Sequence, residues 1–165
     1  MDGIDYNLDP DIIAKEGSLV AIQRKVVEYL RGIAEFAGVQ RIFIEDQLDL
    51  MAEIDAALDD GNLSMCVSIG KAVDSAPTAP DVIVLDPCEI VIRCLENPSV
   101  NRNTGGTGIT RNRAGELIAR KLKLQRINNG SLTKARMENS QLPREMAEAR
   151  GVIGRDVVFT LTTAI

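Results

Sequence analysis

The chain has 165 residues, 45% of them apolar and 26% charged, the size and composition of one globular domain able to bury an ordinary core. It contains no histidine, which excludes Ser/His/Asp triads, Cys/His dyads, HExxH zinc helices and imidazole proton shuttles. Residues 1–100 carry 19 Asp/Glu against 7 Lys/Arg, whereas residues 101–165 carry 5 against 12, so the net charge of −5 hides two parts of opposite sign, which neutralise one another on folding or, the less favoured reading, give a protomer with an acidic and a basic face suited to head-to-tail association, and which do not favour a nucleic-acid binder.

Residues 1–17, polar and rich in aspartate, read as an extended or partly ordered N-terminal arm of the kind that orders on a neighbouring subunit. Residues 18–165 read as a single domain. Ser18 is an N-cap for a helix whose apolar residues, Leu19, Ile22, Val26, Leu30, Ile33 and Ala37, recur at three- and four-residue spacing until Gly38. Val39 to Glu45 is a short β-rich run, and Gln47 to Leu58 returns to helical spacing before Asp59-Asp60-Gly61-Asn62 stops it. From Leu63 the period turns to two, with Met65, Val67 and Ile69 alternating with Ser64, Cys66 and Ser68, which predicts a strand buried on one face.

Ser75 to Pro80 is a loop, and Val82 to Leu85 and Glu89 to Leu95 follow as two strand segments interrupted at Asp86-Pro87, because proline withholds a ladder donor. Cys88, Ile90, Ile92 and Cys94 fall on one face, so these cysteines read as small core residues. Asn97 to Gly108 is too polar and glycine-rich to pack as an element and should be mobile when isolated. Thr110 caps a helix to about Leu124, with Ala114, Leu117, Ile118 and Leu122 inward and Arg111, Arg113, Arg120, Lys121 and Lys123 largely outward. Asn128-Asn129-Gly130 is a turn, Ser131 to Met137 a strand, Gln141 to Arg150 a polar loop or helical turn, and Val157 to Thr162 a terminal strand. Helices flanking a mainly antiparallel sheet make the fold class α+β.

Candidate sites each have a structural and a functional reading. The loop bearing Gly105, Gly106 and Gly108 invites a phosphate cradle, since glycines admit close backbone approach and a helix N-terminus attracts anions. It lacks the lysine of a P-loop and the spacing of a dinucleotide fingerprint, so a flexible connection that orders in an assembly is the stronger reading. Arg102, Arg111, Arg113 and Arg120, with Lys121, Lys123 and Arg126, form a solvated helix face, a protein interface or, less favourably, a sequence-blind phosphate contact. The chain has no Trp and only Tyr6, Tyr29, Phe36, Phe43 and Phe159 as aromatics, too few for base-stacking platforms. The acidic pairs Glu45/Asp46, Glu53/Asp55 and Asp59/Asp60 match no metal-loop pattern.

The three cysteines, Cys66, Cys88 and Cys94, form no CxxC pair and suit a reducing compartment better than a disulfide framework or a zinc site. No catalytic residue, cofactor or metal is expected. No apolar run nears the roughly 20 residues of a membrane span, and Met1 to Lys15 lacks the pattern of a secretory leader, so no membrane partner is expected either.

The helix Leu19 to Phe36, the strand run Val82 to Leu95, the helix Arg111 to Leu124 and the closing strand Asp156 to Thr163 together resemble, by layout, the tail terminator and tail-completion (minor tail) proteins of long-tailed bacteriophages and related contractile particles. The segment Glu96 to Arg102 leading into Gly105, Gly106 and Gly108 is similar to a connection in prophage-encoded members. Gln47 to Leu58 and Asn139 to Arg150 are departures from the pattern. The resemblance implies a non-enzymatic virion protein that self-associates into a ring, commonly hexameric, on the tail tube and meets the head connector. Such a protein works in the bacterial host cytoplasm during assembly and then in the virion tail. The cations Arg102, Arg111, Arg113 and Arg120 would face the acidic part of the next subunit. The alternative is a small nucleic-acid- or nucleotide-binding module built on the glycine loop and basic helix.

Overall fold

The computed structural model describes residues 3–39, 41–45, 63–103, 108–144, 147–148 and 151–165. In chain order they form α1 (Pro10–Glu16), α2 (Ser18–Arg31), a 3-10 turn (Ala34–Phe36), β1 (Arg41–Ile44), β2 (Ser64–Asp74) and β3 (Val84–Glu96). Then come α3 (Pro98–Asn103), α4 (Arg111–Leu122), β4 (Arg126–Ile127), β5 (Gly130–Ser131), β6 (Thr133–Asn139) and β7 (Ile153–Ala164). The class is α+β. The expected helix Gln47–Leu58 lies outside the described residues.

Five strands make the main sheet in the order β1-β2-β3-β7-β6, and β4 and β5 pair separately. Only β1 and β2 run parallel; β2–β3, β3–β7 and β7–β6 are antiparallel. The core lies on one face, where Met65 and Val67 of β2, Ile90 and Ile92 of β3, and Phe159 and Leu161 of β7 meet Ile22, Val26 and Leu30 of α2 and Leu117, Ile118 and Leu122 of α4. The helical and strand periods read from the sequence are those of this packing. Cys88 and Cys94 are fully buried in it, as their alternation requires. On the opposite face Phe43, Leu95 and Val152 form a smaller cluster with Leu142 against it.

Several expectations change. The N-terminal arm carries α1, capped by the Asp9 carboxylate, which accepts from the Asp11 N–H at 2.8 Å, with Pro10 opening the helix. Gly17, at a φ of 96°, closes α1 and leads directly into α2. Leu8 is buried, and Ile4 and Ile12 pack on the main core, so this stretch docks on its own domain. The first long helix stops at Arg31, and Ala37 is exposed.

Val82 to Leu95 does not break at Asp86-Pro87. β3 is continuous because a register shift between Leu85 and Cys88 accommodates a residue with no N–H, next to a cis peptide bond. Ser64, expected on the outward side of its strand, is fully buried, and its hydroxyl makes no hydrogen bond among the described residues. The stretch expected as one strand from Ser131 to Met137 is split between β5 and β6.

Candidate assembly surface

The connection between β3 and α4 is organised around a buried carboxylate. Glu96, the last residue of β3, is 0% exposed. Its Oε2 accepts from Asn101 Nδ2 at 2.8 Å, and its Oε1 accepts from the Arg111 backbone N–H at 3.2 Å and from the Arg111 guanidinium at 3.4 Å. Asn101 Nδ2 also donates to the Ile109 carbonyl at 3.0 Å, so one side chain ties α3 to the start of α4. The Asn97 carboxamide accepts from the Ser99 N–H at 3.2 Å and starts α3, and Thr110 Oγ1 accepts from the Arg113 N–H at 3.2 Å and caps α4. Leaving a buried polar group unpaired is costly, and these hydrogen bonds satisfy the Glu96 carboxylate and the Asn101 carboxamide as they join β3, α3 and α4.

The polar, glycine-rich composition of Asn97 to Gly108 predicts a connection that does not pack as an element; in fact 98–103 is helical and Asn101 is buried. Gly108 takes a φ of 72°, while Gly105 and Gly106 lie outside the described residues. Arg102 falls in α3, and its side chain lies outside what is described.

The four candidate arginines do not form one surface. Arg111, expected to point outward, turns inward, its side chain only 19% exposed in the pair with Glu96. A carboxylate on β3 is the nearer partner, so this cation neutralises the acidic part of its own chain. Arg113 and Arg120 are exposed and, seven residues apart, share the outer face of α4. Arg113 lies 3.6 Å from Glu116. Arg120, Lys121, Lys123 and Lys134 have no ion-pair partner among the described residues. A basic shoulder therefore persists at the end of α4, where the helix dipole favours cations.

A second polar cluster crosses the other face of the sheet and carried no sequence signal. Register aligns Phe43, Cys66, Arg93, Asp156 and Glu138 in one row over the five strands. Arg93 donates twice to Asp156, at 2.9 and 3.2 Å, and Ser140 Oγ donates to the same carboxylate at 2.5 Å. The hydrogen bond to Asp156 holds the Arg93 guanidinium above its usual pKa, outweighing burial. Burial, with the Glu45 charge adding to it, pushes the Cys66 thiol up to about 11 against the opposing effect of Arg93. Burial alone takes Cys88 to about 11, and burial with the Asp156 charge takes Cys94 to about 12. All three thiols are protonated at neutral pH, the opposite of an activated nucleophile.

Among the described residues no group of three or more His, Cys, Asp or Glu could hold a metal ion, and no helix is long and apolar enough to cross a membrane. No protein-family model matches the sequence, and no curated protein does.

Proposed function

We propose that this protein is a structural component of a phage or prophage tail, a ring-forming subunit that caps the tail tube and joins it to the head connector. The observation that carries the reading is the basic shoulder, Arg120, Lys121, Lys123 and Lys134, which has no ion-pair partner among the described residues, on a chain whose first hundred residues are strongly acidic. A subunit with one basic and one acidic surface associates head to tail, and a heterologous contact that closes by rotation makes a ring. The α+β layout is the class that the resemblance to tail terminator proteins implies. Ring formation on the last tube layer would cover the surface on which another layer grows. The protein would act in the host cytoplasm during assembly and remain in the virion tail.

Light scattering coupled to size exclusion, on protein stripped of nucleic acid and over a range of protein and salt concentrations, tests the reading. A discrete ring, or a monomer that becomes one as concentration rises, is expected, with the ring then visible at the end of tail tubes by electron microscopy. A monomer under every condition that instead binds DNA with a steep salt dependence refutes it in favour of a nucleic-acid module.

A further inference from the structure

The two sides of the sheet end differently. β1 pairs with only Ser64 to Val67 of β2, so from Ser68 to Asp74 β2 is the outer strand among the described residues. The pairings Asp74 with Leu85 and Leu85 with Thr163 set the tip of the β2–β3 hairpin at the end of the sheet where β7 finishes. Thr133 pairs with Thr160, which brings the start of β6 towards the same end on the opposite edge. The last turn of α4 is attached there, since the Leu124 N–H donates to the Leu132 carbonyl at 2.8 Å.

Both places expose aliphatic side chains beside charges of opposite sign. At the tip of the hairpin, residues 71–86, Val73, Val82 and Ile83 are exposed, and Asp74, Asp81 and Asp86 outnumber the cation Lys71. On the shoulder Leu124 is 66% exposed, with Lys121 and Lys123 exposed just before it in the chain and Lys134 two residues beyond Leu132, whose carbonyl accepts from the Leu124 N–H. The opposite charges of the two places are the feature that selects a partner and its orientation, and the exposed aliphatics beside them supply apolar area to bury.

We propose that the β2–β3 hairpin of one copy seats on the α4–β6 shoulder of a second copy, with Val82 and Ile83 against Leu124 and Asp81 facing Lys121 and Lys123. The proposal rests on the ring reading above and names its contact. The two surfaces differ and lie at opposite edges of one sheet end. Any open chain of subunits therefore presents a free hairpin at one end and a free shoulder at the other until it closes. The middle of β6 is left out of the contact, because Arg136 is held between Glu89 and Glu138, a charged edge of the kind that resists strand addition.

Sedimentation velocity on the full chain, Val82→Lys, and the double variant Lys121→Glu/Lys123→Glu tests this. Each variant alone should associate roughly a hundredfold more weakly than wild type, because like charges then face each other. An equimolar mixture of the two should regain the wild-type mass, since in an alternating assembly the unaltered hairpin meets the unaltered shoulder at one contact and the charges introduced by Val82→Lys and by Lys121→Glu/Lys123→Glu attract at the next. Asp81→Asn, which suits the φ of 60° at that exposed position, keeps the fold and should weaken association and its salt dependence more modestly. If wild type forms a ring and every variant forms it equally well, this contact is wrong while the ring reading stands. If wild type stays monomeric at every concentration and salt, both are overturned.

Discussion

Replacing Arg111 by methionine keeps most of the aliphatic stem and removes the guanidinium from Glu96. Breaking a fully buried ion pair by taking away one partner costs about 3–5 kcal/mol. Here Glu96 is wholly buried, but Arg111 is about one-fifth exposed, and the carboxylate keeps Asn101 Nδ2 and the residue-111 N–H as donors. The expected loss is therefore about 3 kcal/mol, at the low end of that range. In a domain of this size it corresponds to a fall in Tm of about 6–12 °C. Arg113→Met is the internal control. Its pair with Glu116 is 3.6 Å long with both side chains about half exposed, so it should cost at most about 0.5 kcal/mol.

Replacing both partners, as in Glu96→Met/Arg111→Met, should recover little of the stability, because the two apolar side chains carry no desolvation penalty of their own but leave Asn101 Nδ2 and the residue-111 N–H without their acceptor. Urea denaturation followed by circular dichroism, with the slope checked for constancy, measures all three. If Arg111→Met and Arg113→Met prove equally mild, Arg111 is not held against a buried carboxylate and the reasoning fails. A double variant as stable as wild type would refute the role of Glu96 as the acceptor that holds Asn101 and the residue-111 N–H.

Gly130→Ala should destabilise by about 3 kcal/mol or more, because a Cβ there runs into the Thr162 carbonyl and approaches Leu161 Cδ1 to 2.9 Å; a thermal melt reads the loss. Thr110→Ala removes the cap of α4 and should cost about 1 kcal/mol, measured the same way, while Thr110→Ser should restore it. The buried thiols give a signed pH effect. Their folded pKa values, about 11 for Cys66 and Cys88 and about 12 for Cys94, lie above the unfolded value, so the native state holds the protons longer. Stability contributed by the protonated thiols is complete below the unfolded pKa and lost as pH rises towards 11–12. A Cys88→Ala/Cys94→Ala variant should show a shallower alkaline decline in Tm than wild type, and an unchanged decline would refute the assignment.

Elements with a clean internal period were legible in the sequence. The inward set Ala114, Leu117, Ile118 and Leu122 of α4, the buried alternation Cys88, Ile90, Ile92 and Cys94 of β3, and the Thr110 cap are all present. Each depends on neighbours within one or two turns or a few strand residues, so a local window contains the cause. The burial of Ser64 defeats alternation because its neighbourhood, at the parallel junction with β1, is set by strands far apart in the chain. The helical stretch Pro98–Asn103 was missed because its polar residues are held by Glu96 and not by an apolar stripe. The docking of α1 was missed although Asp9-Pro10 is a local helix start and Ile4, Leu8 and Ile12 recur every four residues, because the surrounding aspartates obscure so short an apolar pattern and the surface it meets is made by distant residues.

What the sequence alone determined is the α+β class, the periodic helices and strands, the removal of histidine chemistry and the opposite charges of the two parts. Tertiary structure decided the strand order β1-β2-β3-β7-β6, the union of Arg93 with Asp156 across 63 positions, and the inward turn of Arg111. It also separated Arg111 from Arg113 and Arg120, which composition treats as alike. The physical reason is that periodicity reports which face of an element avoids water, whereas the partner of a charge depends on which distant residue the packed sheet brings within a few ångströms. A cation buried against Glu96 and one exposed to solvent are the same letter in the sequence.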